Sequence, residues 1–224
     1  MTTNSTKQGL IAVIADIIDS KKIDVHQRRV YQKQLKDILK KINNQFYDDI
    51  CSNFIITLGD EFQGVLNNAE HLFDIIDMIQ FNLKEIRIRF GIGIGEIVTD
   101  IDREASIGSD GPAYHRARNS LQALKKIKNN EQNLYIQTPD LLINELLNTH
   151  LFWISKTNKR WSDLQLSIIE KKIETNNITQ NEIAILLDID QSRVSRSLKA
   201  SSFENYLQSQ KAICQIIEKE RRRI

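Results

Sequence analysis

Cysteine is scarce in this 224-residue chain. The two present, Cys51 and Cys214, have no metal-ligand spacing and are too few for a disulfide framework. Both are expected to be reduced, with structural roles at most. Long apolar runs are missing as well. No stretch of 18 apolar residues occurs, and the polar start from Met1 to Gln8 lacks the charged-then-apolar order of a secretory signal. Neither a membrane span nor export is expected, and a cytoplasmic location is. No internal repeat or low-complexity tract occurs. Net charge is small, +2, but unevenly spread. Residues 1–151 carry 18 Lys and Arg against 20 Asp and Glu, whereas residues 152–224 carry 13 against 9. The second part is therefore the one suited to a polyanion. With 41% hydrophobic and 27% charged residues, the composition is that of a folded soluble protein.

The apolar pattern changes period along the chain. A continuous β-rich run at about 9–16 reads as a central strand buried on both faces. From Val25 to Asp49 the spacing is helical, with Val30, Leu35, Ile38, Leu39, Ile42 and Phe46 on one stripe. Residues 53–58 and 62–66 flank the turn Gly59-Asp60-Glu61 and predict a hairpin. A helix over about 69–83 follows, then strict alternation over 86–97, with Gly91, Gly93 and Gly95 on one face. That bare face calls for something lying close against it, either a base or a packed helix. Helices starting at Pro112 and Pro139 enclose a short strand over 134–137. The first six elements match the split βαβ pattern: an antiparallel sheet with helices on one face.

Two apolar runs end on acidic residues, and these suggest chemistry. The first strand leads to Asp16, and the hairpin turn holds Asp60 and Glu61. Magnesium takes oxygen ligands, commonly one or two carboxylates completed by water and substrate phosphates. If the two segments are neighbours, Asp16, Asp60 and Glu61 are candidate ligands for Mg2+ or Mn2+. The backbone amides of Ile17 and Ile18, the Ser20 hydroxyl, and the cations Lys21 and Lys22 would then face a nucleotide's phosphates. The plain alternative is that these aspartates only end strands and start turns.

Beyond Trp153 the pattern is almost wholly helical. Helices are predicted over 163–174, 179–187, 191–200 and 203–223, the second opened by a Thr179 and Glu182 capping box. Two short helices joined by Asp188-Ile189-Asp190 have helix-turn-helix spacing, with Ile183, Ala184, Leu187, Ile189, Val194 and Leu198 as its core. Gln191, Ser192, Arg193, Ser195, Arg196 and Lys199 then form the outer face of the third helix. Such a polar set hydrogen-bonds base edges and phosphates in a major groove. A helical hairpin used for dimerisation is the alternative.

Residues 13–18, Leu58-Gly59-Asp60-Glu61-Phe62 and residues 88–96 resemble the class III nucleotidyl cyclase and GGDEF-type palm domains, in their order and at similar spacing. The resemblance implies metal-binding aspartates at Asp16 and Asp60. It departs at Ile56, where active cyclases carry a Lys that reads adenine. It departs also at His115 and Asn119, where they carry an Asn and an Arg; Arg116 or Arg118 would reach a phosphate only from a shifted register. The whole chain resembles the bacterial SatD family, through Gly59-Asp60-Glu61-Phe62-Gln63-Gly64 and Gly111-Pro112-Ala113. The expectation is thus an α+β protein: a ferredoxin-like, palm-type βαββαβ domain over 1–150, then an all-α helix-turn-helix domain over 151–224. Its expected function is a nucleotide- and metal-binding regulator of bacterial stress-response transcription, acting as a homodimer on double-stranded DNA. The alternative is a nucleotidyl cyclase or nucleotidyltransferase that makes a signal from a triphosphate.

Overall fold

The apolar run at Leu10–Ile17 forms strand β1, and every residue after Leu10 in it is buried. In the computed structural model, which describes residues 8–106, 108–127, 132–175 and 177–224, β1 is the middle of a five-stranded sheet. The order is β2-β3-β1-β4-β5, with β2 at Ile50–Leu58, β3 at Glu61–Leu66, β4 at Ile88–Gly95 and β5 at Leu134–Gln137. Helix α1, Val25–Gln45, and helix α2, Leu72–Asn82, complete the βαββαβ order read from the pattern. Met1–Lys7, part of the polar start noted above, lie outside the described residues. Leu58 pairs with Glu61 across a two-residue hairpin loop whose first position, Gly59, has φ +61°. A glycine there suits the tight turn that matches strand twist.

The four strands of the first six elements pair antiparallel throughout, as the pattern predicts, and later elements add to them. β1 is antiparallel to both β3 and β4, but β5 lies parallel to β4, so the sheet is mixed. The first two helices share one face, as the pattern predicts, and a later helix covers the other. Ile11, Val13, Ala15 and Ile17 share a core with α1 and α2, while Ala12 and Ile14 pack against helix α3, Pro112–Lys126. The bare glycine face is where α3 lies. A Cβ on Gly91 or Gly93 would run into the α3 backbone at Ala117 and Ala113. The occupant of that face is a helix, and the glycines let its backbone approach the strand. The α1 stripe is correct except for Val30, which is 51% exposed.

The C-terminal helices are α4 (Leu141–Asn158), α5 (Asp163–Glu174), α6 (Gln180–Leu187), α7 (Gln191–Ala200) and α8 (Phe203–Arg221). They do not form a core of their own. Leu147, Ile168, Ile183, Val194 and Ile217 belong to the same apolar cluster as the strand residues Ile11 and Phe90. Polar ties reinforce the joint. The Tyr206 hydroxyl and the Gln210 amide donate to the two oxygens of Asp77 on α2, at 2.7 and 2.9 Å. The Gly9 amide donates to the Arg221 carbonyl, and the Trp161 indole to the Ser201 carbonyl. The chain is thus mixed α+β, and residue 150 falls inside α4. Among the described residues no helix is long and apolar enough to cross a membrane.

Candidate functional site

Register places the acidic residues. Asp16 stands opposite Glu61 of β3 on one side and Arg89 of β4 on the other, so the three form one row across the sheet. Asp16 has the strand parity of Ala12 and Ile14, which pack against α3, so the row faces that helix. From α3 come Arg118 and Lys125, two turns apart and therefore on one side of it. Arg89 grips both oxygens of Asp16, at 2.9 and 3.1 Å, and the Lys125 ammonium lies 2.8 Å from Oδ2. Arg118 donates to Glu61. Two carboxylates thus meet three cations at the end of the sheet, with the Asp16 side chain only 9% exposed.

This geometry tests the metal expectation directly. A magnesium ion needs carboxylate oxygens open to it in near-octahedral geometry. Both Asp16 oxygens and one of Glu61 are already bonded to the chain's own cations, so as arranged the pair does not fit a resident divalent metal. Asp60, in the hairpin turn, contributes its carbonyl to the Ile17 amide at 3.2 Å. Its side chain makes no ion pair among the described residues.

The proposed phosphate cradle fares similarly. The Ile17 amide is spent on Asp60 and the Ile18 amide on the Arg87 carbonyl at 2.8 Å, so neither faces a ligand. That corrects their assignment, because strand pairing continues one residue past the apparent strand end. Ser20, Lys21 and Lys22 form a single 3-10 turn at the surface. Its Ser20 carbonyl accepts from Arg28, and Lys22 pairs with Asp19 at 3.2 Å. Arg116 turns inward and donates to the Ile94 carbonyl at 2.8 Å, leaving Arg118 nearer the acidic row. His115 and Asn119 are both exposed on α3, and His115 lies 3.2 Å from Asp110.

Sequence reasoning missed Arg89 and Lys125. Their signals were present: Arg89 continues the period of the three glycines, and Lys125 lies seven residues after Arg118. A separate acidic group, Asp49, Glu70 and His71, gathers toward the opposite end of β2 and β3, with ligand atoms within 4.8 Å of one another. His71 Nδ1 is 2.7 Å from Asp49 there, and Asn68 donates to the other Asp49 oxygen. Cys51 and Cys214 are unpaired. Burial pushes their thiols up to about 11 and about 12, so neither supplies a thiolate near neutral pH.

The second candidate lies on the C-terminal helices. Thr179 and Glu182 close the capping box at the start of α6, and Asp188, at φ 51°, ends that helix in a left-handed turn. Ile183, Ala184, Val194 and Leu198 are buried, and Leu187 and Ile189 are partly buried against the same apolar cluster. α5 packs against both α6 and α7 and completes a three-helix unit. Gln191, Ser192, Arg193, Ser195, Arg196 and Lys199 are all exposed. Gln191 bonds Gln180 at 2.7 Å, and Arg196 reaches the Ser192 carbonyl. None of the three cations forms an ion pair among the described residues.

Comparison with known proteins yields few matches by sequence and several by shape. No curated protein matches the chain. Similar solved structures include a bacterial light-regulated adenylyl cyclase, 13% identical with a TM-score of 0.44, covering 58% of this chain and 75% of the other. A dimeric guanylyl cyclase domain of a RhoGC fusion protein from the aquatic fungus Blastocladiella emersonii is 14% identical with a TM-score of 0.40, over 51% and 74%. The guanylate cyclase domain of RhGC from Catenaria anguillulae, in complex with GTP, gives 14%, 0.39, 52% and 73%. The SatD family model matches residues 10–217, nearly the whole described chain, and the protein belongs to the SatD family.

Proposed function

We propose that this protein is a DNA-binding regulator that lays α7 in the major groove of double-stranded DNA and works as a homodimer. One observation carries the reading: the six polar residues of the α7 outer face are exposed together, while the inner face of the same helix is held by buried Val194 and Leu198. A rigid helix with an amide, hydroxyls and unpaired cations on one side supports both base-edge and phosphate contacts. Three cations per protomer give a small electrostatic footprint, and two-fold symmetry doubles it.

The regulatory arm of the proposal is a nucleotide at the sheet end. Arg118 and Lys125 have side chains 43% and 46% exposed, and Lys21 and Lys22 stand in the exposed turn after β1. Together they offer phosphates a cationic landing. Mg2+ or Mn2+ at Asp16, Asp60 and Glu61 would require those carboxylates to be released from Arg89, Lys125 and Arg118, so the proposal routes no chemical step through a metal. The test is selection from a randomised duplex library with the full chain, with and without ATP and GTP. A recurrent motif, lost in Arg193→Ala/Arg196→Ala and altered in yield by one nucleotide, is the expected result. Failure to enrich any motif rejects DNA recognition, and identical enrichment with and without nucleotides rejects the regulatory arm.

The enzyme reading, a nucleotidyl cyclase or transferase, has one observation in its favour: the Asp60 side chain makes no ion pair among the described residues beside the acidic row. Incubation with labelled triphosphates and Mg2+ or Mn2+ decides it. Pyrophosphate release abolished by Asp60→Ala would establish that reading over the regulator.

A further inference from the structure

A cavity of about 490 Å³ lies where the end of the sheet meets the corner between α4 and α5. It is distinct from the Asp16 row. That row faces α3, whereas the cavity is walled by the end of α2, the start of β4, the end of α4 and the first half of α5. Its volume falls in the range of small-molecule sites, and its lining has their character: mostly apolar walls with a few converging polar groups.

Ile18, Phe81, Ile86, Trp161 and Leu166 supply the apolar wall. Trp161 is fixed there, because its indole nitrogen is bonded to the Ser201 carbonyl and its ring stands edge-on to Tyr206. The polar side is asymmetric. Asn158 Oδ1 is buried and has no hydrogen-bond partner among the described residues. Leaving a buried acceptor unmet is unfavourable unless something donates to it. At the cavity's edge stands Arg87, on the surface and paired only loosely with Asp19 at 3.3 Å. Lys84 on the same rim is paired with Glu170.

The geometry points to a binding site for a planar nitrogen heterocycle that carries an N–H donor and one anionic group. The ring lies against Phe81 and Trp161, its N–H donates to Asn158 Oδ1, and its anion takes Arg87 from Asp19. No metal is involved. The consequence rests on the regulator reading. Asp163, Leu166, Ser167 and Glu170 of α5 form one wall, and α5 is the helix that braces α6 and α7. A ligand in the cavity therefore touches the sheet and the DNA-binding unit at once.

The chain's two tryptophans allow a direct test on the full-length protein. In a Trp153→Phe background, Trp161 is the sole indole and lines the cavity. AMP and GMP are titrated in EDTA while Trp161 emission is followed. The expected result is a saturable change with one of them at a sub-millimolar constant. It weakens about tenfold or more in Asn158→Leu, which removes the acceptor, and in Ser167→Phe, which fills the space. Arg118→Ala/Lys125→Ala, which empties the sheet-end landing, leaves it within about twofold. Melting curves confirm that each variant is folded, and Asn158→Leu serves if Ser167→Phe does not fold. The inference is overturned by no saturable change with any probe, by a change that survives both cavity variants, or by one lost in Arg118→Ala/Lys125→Ala. DNA selection on the same preparations stands apart from these outcomes, so failure of the cavity and failure of α7 recognition are told apart.

Discussion

The sheet end and the outer face of α7 both gather cations, but they use them in opposite ways. At the sheet end, Arg89, Arg118 and Lys125 are bonded to Asp16 and Glu61, so the charges satisfy one another within the fold. On α7, Arg193, Arg196 and Lys199 point outward beside hydroxyls and an amide and form no ion pair among the described residues. Residue type alone does not separate a charge that the fold neutralises from one that it leaves open. What separates them is whether the fold itself supplies the counter-charge.

Removing an inward charge should have the largest effect. Asp16→Ala leaves Arg89, whose side chain is 13% exposed, beside an unpaired ammonium. It should cost about 3 kcal/mol in urea unfolding, because a largely buried charge loses its partner. An Asp16→Leu/Arg89→Met double variant should recover most of that loss. A single variant with unchanged stability would mean that the row is not a structural ion cluster.

Outward charges should behave in reverse. Arg193→Ala/Arg196→Ala/Lys199→Ala should leave the melting temperature nearly unchanged but flatten the salt dependence of duplex binding, by about 0.9 in log–log slope for each phosphate no longer neutralised. Competition titrations over a range of salt concentrations check both halves of that statement.

A buried carboxyl with only neutral partners extends the contrast. Asp77 meets Tyr206 and Gln210 rather than a cation, and burial pushes it up to about 7, with nearby Asp74 adding to the rise. Unfolded, it titrates near 3.9. Between those values the folded chain holds more protons than the unfolded one, so Asp77 makes stability fall as pH rises from about 4 to about 7. The urea midpoint should drop across that window, and Asp77→Asn should remove that part of the slope. At the weak end, Lys22→Ala, which breaks an exposed pair with Asp19, should change stability by less than about 0.5 kcal/mol.

Much of the fold was legible because period reports burial. Residues 163–174 and 191–200 were placed to the residue, and Thr179 with Glu182 marked the α6 start through a local hydrogen-bond pattern. The three glycines marked a close approach, though only the structure named α3 as its occupant. Less was legible wherever the outcome depended on partners far along the chain. Asp16 and Glu61 were visible as acidic, but Arg89 and Lys125, which neutralise Asp16, lie 73 and 109 residues away from it. The amides of Ile17 and Ile18 were lost to pairing with Asp60 and Arg87, which no local pattern announces. The contact between α8 and α2 was hidden for the same reason: Asp77 and Tyr206 read as separate helix residues until packing joins them.

The proposal makes α7, and not the sheet end, the surface offered to DNA. Fluorescence anisotropy with a labelled duplex at fixed low salt compares the unaltered chain, Arg193→Ala/Arg196→Ala/Lys199→Ala, and Arg118→Ala/Lys125→Ala. The α7 variant should bind about 100-fold more weakly, while the sheet-end variant should bind like the unaltered chain. Equal binding by all three proteins, or a loss confined to the sheet-end variant, would contradict it.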